Sequence, residues 1–399
     1  MIINILKKSC CIAVLFITFH QTVFAQVSMS NIDPDAEFKM AKEFYLKEQF
    51  NLAYLKFKKI SDNPSALSKL PISTQLEAAY YTIVTGLKMN EPGAETAAKE
   101  FIATEYNAAR TQMLSYQLGE YYFRKQDYAG ALSNYEKCGI DNLTNREIAE
   151  MKFHQAYAFF TDNQFKKAKP LFNSIRQITS DPNYLDASYY YGFISFYEKD
   201  YKSALDAFRK VESQSTYQKI VPYYIAEILY FNGDKNKAIE YGEAKLKTGG
   251  QYYDVQLRQL VGHAYFENKN YKKALPYLEE YLAKTEKVRR EDLYELSYAY
   301  YENNQLNKAI EGFKQLGGKE DSLAQNSMYL LGDLYLKKDQ KANARSAFLF
   351  CASNSSNGQQ KEISAFNYAK LSFELGYQDV ASVELKKFYQ QLSFIGICG

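Results

Sequence analysis

The chain has 399 residues, 46% hydrophobic and 24% charged, with a formal net charge of +3, 37 tyrosines, 26 phenylalanines and no tryptophan. That length suits two or three ordinary domains or one extended array. The near balance of charge excludes the basic stripe that a nucleic-acid binder needs, and 3 histidines with 5 cysteines are too few for a disulfide framework or a metal centre read from spacing.

In chain order, the first element is a targeting segment. Lys7 and Lys8 precede an apolar run from Cys10 to Phe19, and Val23 and Ala25 stand at the two positions a signal peptidase reads. The run is well short of the ~20 apolar residues of a membrane span, and no cysteine follows it directly as a lipid anchor would require. Residues 1–25 are therefore expected to be a signal peptide, cleaved near Ala25, giving a periplasmic or secreted protein with no transmembrane span. Their removal takes two lysines and no acids, lowering the charge to +1.

From there the chain repeats itself. "LGEYYFRKQDYAGALSNYEKC" (118–138), "YGFISFYEKDYKSALDAFRKV" (191–211), "VGHAYFENKNYKKALPYLEEY" (261–281), "LSYAYYENNQLNKAIEGFKQL" (296–316) and "LGDLYLKKDQKANARSAFLFC" (331–351) superpose without a gap. Each has a small residue, a polar turn, an alanine twelve residues after the small one and a large apolar residue four further on.

The small positions in order are Ala41, Gly119, Ala156, Gly192, Ala226, Gly262, Ser297, Gly332 and Ala369, with alanines at Ala53, Ala131, Ala168, Ala204, Ala238, Ala274, Ala309, Ala344 and Ala381. Four beyond stand Phe57, Tyr135, Phe172, Phe208, Leu278, Phe313, Phe348 and Leu385, with Gly242 the exception. The gap between Ala41 and Gly119 leaves room for a degenerate repeat near 73–105, read with Ala79 in the small position and Ala97 and Phe101 in the second helix after a lengthened turn. Apolar residues at period 3.6 on both sides of each polar turn predict antiparallel helix pairs, with Asp127 and Asp200 as N-caps. The last helix is expected to end near Gln391, and the apolar "LSFIGICG" that follows is no polar capping face. It predicts a C-terminus truncated after about 391 and self-association through that end.

About ten such units in register resemble the tetratricopeptide repeat (TPR), over roughly residues 34–392. The tryptophan that often opens the motif is missing. The resemblance implies an all-α fold, a right-handed TPR solenoid of about ten helix-turn-helix repeats spanning 26–399, and with the signal segment it is similar to periplasmic TPR proteins of Bacteroidota-type bacteria. In that family the first helix of each unit lines the concave groove through positions three before, one after and four after the small residue.

Carried onto this chain, the positions three before are Tyr116, Phe153, Tyr189, Tyr223, Gln259, Tyr294, Tyr329 and Phe366. The positions four after are Phe123, Phe160, Phe196, Tyr230, Phe266, Tyr301, Leu336 and Phe373, so that fourteen of the sixteen are aromatic. We read Tyr116, Phe153, Tyr189, Tyr223, Tyr294, Tyr329 and Phe366 as the partner-binding groove, and leave the set four after divided between core and groove. His154 and His263 are expected as helix-surface or groove side chains.

No phosphate loop, nucleophile elbow or catalytic constellation stands out, so no catalytic residue, metal or cofactor is assigned and no enzyme is expected. Two functions of different class follow: a scaffold or adaptor binding protein or peptide partners in its groove, as in envelope assembly, or a SusD-like glycan-binding module using the groove aromatics.

Overall fold

The computed structural model describes residues 33–394, and side chains as far as Phe388. The predicted signal peptide and most of "LSFIGICG" lie outside the described residues, and no side chain of the latter is described. The described residues form twenty-one α-helices and no strand, and the chain divides into two compact units after Thr144.

The first unit holds three helical hairpins: α1 (Pro34–Leu46) with α2 (Phe50–Ser61), α4 (Ile72–Met89) with α5 (Ala94–Thr104), and α6 (Ala108–Arg124) with α7 (Tyr128–Cys138). The one-turn α3 (Pro64–Leu67), capped by the Asn63 side chain, lies between the first two. The second unit holds seven: α8 (Asn145–Thr161) with α9 (Phe165–Ile175), α10 (Tyr184–Tyr197) with α11 (Tyr201–Val211), α12 (Val221–Phe231) with α13 (Lys235–Thr248), α14 (Asp254–Glu267) with α15 (Tyr271–Lys284), α16 (Arg290–Glu302) with α17 (Leu306–Lys314), α18 (Ser322–Lys337) with α19 (Lys341–Ser353), and α20 (Gly358–Glu374) with α21 (Gln378–Phe394).

The hairpin turn is built the same way each time. Seven residues after the small position the backbone turns left-handed, at Glu48, Gln126, Asn163, Lys199, Gly233, Lys269, Asn304, Asp339 and Gly376, with φ between +55° and +86°. The next residue donates its N–H back to the carbonyl three after the small position, as in Asp127 to Tyr122 (2.9 Å) and Asp200 to Ser195 (2.8 Å). This is the Schellman closure, which satisfies carbonyls that a helix end leaves open. As the sequence predicts, Asp127 and Asp200 then cap the following helix by accepting from the backbone N–H of Gly130 and Ser203.

The α4–α5 hairpin departs from this pattern. The left-handed residue that closes α4 is Asn90 (φ +59°), after which Glu91 donates its N–H to the Gly86 carbonyl (2.9 Å). A second left-handed residue, Gly93 (φ +82°), stands before α5, so the turn is lengthened as the sequence predicts. Ala98 is buried in α5, whereas Ala79 and Ala97 are half-buried.

The small residue exists for close approach. The nine alanines twelve residues on are 0–1% exposed, and the ring four beyond lies directly on the small residue. A Cβ on Gly332 would come within 2.6 Å of the Phe348 ring, and one on Gly119 within 2.6 Å of the Tyr135 ring. Where Gly242 replaces the large residue, Val261 of the following repeat fills the space, 2.5 Å from where a Cβ would be. Gly332→Ala is accordingly expected to cost roughly 1–3 kcal/mol by overpacking. Gly86→Ala, 3.2 Å from the Ala94 Cβ, should stay within about 1 kcal/mol; thermal melts of the two variants compare them.

Candidate functional site

In the second unit, α12, α14, α16, α18 and α20 each touch the next but one helix in sequence, and no pair of second helices makes a comparable contact. The first helices are thus the closely spaced inner layer. The outer layer is stitched by longer side chains, among them Arg176 to Asp206, Tyr277 to Glu243 and Lys308 to Glu279.

The predicted groove rings are placed differently from a free row. Tyr116 is 3% exposed, within the run Leu114–Glu120 of α6 that is buried throughout. Phe153, Tyr189, Tyr294 and Tyr329 are half-buried. Each leans on the large buried ring of its own repeat: Phe172 at 5.9 Å, Phe208 at 6.3 Å, Phe313 at 5.9 Å and Phe348 at 6.3 Å.

Tyr189 also stacks on Tyr217 with centroids 4.5 Å apart, and burial pushes the Tyr189 and Tyr294 phenols up to about 12. These rings are therefore largely packing, with only part of each left exposed. Tyr223 is half-buried against Tyr224 and Tyr253. Phe366 is 43% exposed, since no further first helix lies against it among the described residues.

The set four after the small position seals the stack. Phe160, Phe196 and Phe266 lie against the ring that opens the second helix (Phe165, Tyr201, Tyr271) and against a ring of the next first helix (Tyr190 at 4.9 Å, Tyr224 at 5.2 Å, Tyr298 at 5.8 Å). For these the core reading applies.

Between the rings runs a ladder of polar contacts from each first helix to the next. The Tyr230 hydroxyl donates to Glu267 (2.5 Å), Gln259 Nε2 to Asp292 (2.9 Å), Asn326 Nδ2 to the Tyr294 hydroxyl (2.5 Å), the Tyr301 hydroxyl to Asp333 (2.9 Å), and Gln360 Nε2 to Asn326 (2.7 Å). His263 Nδ1 stands 2.6 Å from Glu295 Oε1; a carboxylate can only accept, so that nitrogen carries the proton. The hydrogen bond to Glu295 raises the imidazole pKa, burial opposing it. Asp292, 3% exposed, accepts from Arg289 Nε and Nη2 at 2.8 and 2.7 Å and from the Tyr281 hydroxyl at 2.8 Å.

Sequence reasoning marked His263 as a groove side chain and missed Asp292 and Glu295. The available signal was an acid five and two residues before Ser297, on the side of α16 that meets α14. The ladder lines one face with hydroxyls, carboxylates and half-buried rings.

These features define a class: helical hairpins in series, a small residue under a large ring, and a Schellman turn between them are the tetratricopeptide-repeat fold, and the chain is an all-α repeat solenoid protein. No family model and no curated protein matches it. Among solved structures it is similar to the C-terminal part of a TPR repeat-containing protein from Cytophaga hutchinsonii, at 16% identity over 61% of this chain and 97% of that one, with a TM-score of 0.46. It is also similar to a tetratricopeptide repeat protein from Parabacteroides merdae, at 15% identity over 75% and 98% with a TM-score of 0.37, and to PilF of Pseudomonas aeruginosa, at 16% over 55% and 98% with a TM-score of 0.39. Superpositions of this quality concern fold alone, so the site is read from its own geometry. No helix among the described residues is long and apolar enough to cross a membrane.

Proposed function

We propose that the inner face of the second unit, from α12 to α20, is a protein-binding surface and that this chain is a non-catalytic scaffold or adaptor. The observation that carries the reading is the ladder itself: half-buried rings alternate with hydrogen-bonding groups along five consecutive first helices, giving apolar area and directional polar groups on one continuous strip. The N-terminal segment supports export, so the partner is sought in the periplasm or outside the cell.

A glycan-binding role has less support, since platforms for sugars present open ring faces and most of each of these rings is taken up in packing against its neighbours. Photo-crosslinking residues placed at Tyr298 and Lys370 on the inner face, and at Lys202 and Glu240 on exposed second-helix positions, test the proposal in cells. Adducts to a defined polypeptide should form from the inner positions and not the outer ones. Equal labelling from both layers, or none from the inner one, would overturn it.

A further inference from the structure

The inner-face carboxylates are nearly all paired. Asp292 holds Arg289, Glu295 holds His263, Glu267 meets Lys235 at 3.0 Å and Asp333 meets Lys337 at 2.9 Å. Glu227 is different. It stands one residue after the small Ala226, half-buried, and no cation pairs with it among the described residues.

Its surroundings are aromatic. Tyr223 lies one helical turn earlier on the same face of α12, and the Tyr253 ring, at the start of α14, is 5.1 Å from that of Tyr223 and tilted by 40°. The Tyr253 hydroxyl is fixed by that of Tyr224, 3.1 Å away. Arg289 is the nearby cation whose field reaches Tyr223, but its guanidinium is spent on both oxygens of Asp292. A carboxylate taken partly out of water without a counter-charge is costly, and burial accordingly raises the Glu227 pKa, the hydrogen bond with Tyr223 only partly opposing it.

On the reading of the inner face given above, we propose that Glu227, Tyr223 and Tyr253 form the acceptor for one cationic side chain, lysine or arginine, of the bound protein. The carboxylate supplies the counter-charge and the two rings supply the faces over which an ammonium or guanidinium is attracted. Charge complementarity selects this occupant: an acidic or sulfated group would be repelled by Glu227, and an apolar one would leave it unpaired. A divalent cation would find a single carboxylate, the neighbouring ones being engaged.

The test uses the full chain and a displayed library of random twelve-residue peptides, followed by binding measurements on the best binder and on its copy with the cationic residue replaced by norleucine. Selected peptides should carry lysine or arginine. Norleucine should weaken binding about tenfold or more, as close charge pairs at interfaces do, and Glu227→Gln should weaken the parent peptide by a similar factor while leaving the norleucine peptide unaffected. The Gln variant should melt no earlier than the wild type, because it removes an unpaired charge.

Binders that crosslink to the inner face yet lack a cation, or bind Glu227→Gln equally well, would overturn this inference and leave the protein-binding face standing. A lowered melting temperature in Glu227→Gln would overturn it too, by giving the carboxylate a structural partner. An inner face that captures no peptide and yields no crosslink would remove both.

Discussion

Phe208→Ala should destabilise the second unit by roughly 3–5 kcal/mol, the cost of emptying a filled aromatic site. Phe208 is 0% exposed, lies on Gly192 of its own hairpin, and stacks on Tyr224 of the next at 5.5 Å and 20°. It therefore joins two repeats, and in a solenoid stability is the sum of repeats and their nearest-neighbour interfaces. Urea denaturation followed by helicity reads the loss, and amide exchange should localise it to α10, α11 and α12. Tyr189→Ala removes a ring that is only half-buried and should cost less, roughly 1–3 kcal/mol. That ranking departs from what an open groove implies, where truncating Tyr189 would be nearly neutral. Equal losses at the two positions would refute the partial burial described above.

Asp292→Ala should cost about 3 kcal/mol, the lower end of what breaking a buried pair removes, because Arg289 is free to turn into water. Burial alone would push this carboxyl up. The hydrogen bonds from Arg289, Tyr281 and Gln259 together outweigh it, so its pKa lies below the ordinary aspartate value of 3.8. A depressed carboxyl contributes stability above its unfolded-state pKa and loses it as pH falls through the folded one. The difference between wild type and Asp292→Ala should thus be full at pH 7 and shrink below about pH 4. Denaturation midpoints at pH 7, 5 and 3 measure it, and a difference that does not change with pH would rule out the ionised network.

Read from residues alone, the hairpins, their turns and their internal packing were legible because each is specified within about twenty residues. Gly192, Ala204 and Phe208 are tied by helical period and by one turn, so their spacing in the sequence is their contact in the fold. The register of the second repeat was not legible in that way. "AAYYTIVTG" offers several small residues at helical spacing, and α4 closes at the left-handed Asn90 with a longer link to α5 than any other hairpin has. The burial of Tyr116 escaped for a related reason: no local pattern records how many neighbours a helix has.

The inner face shows the same division. Its aromatic content is written in the sequence, as are Gln259, His263 and Glu227 on one side of their helices. What joins His263 to Glu295, ties Asp292 to Gln259, and leaves Glu227 among tyrosines without a cation is the spacing of α12, α14 and α16 across the stack. The His263–Glu295 and Gln259–Asp292 contacts link residues of different helices, and such pairing depends on which group arrives from the neighbouring helix. The repeat and its turn were therefore determined by the sequence through local periodicity; which rings stay open, and which carboxylate stays unpaired, was decided only by tertiary packing.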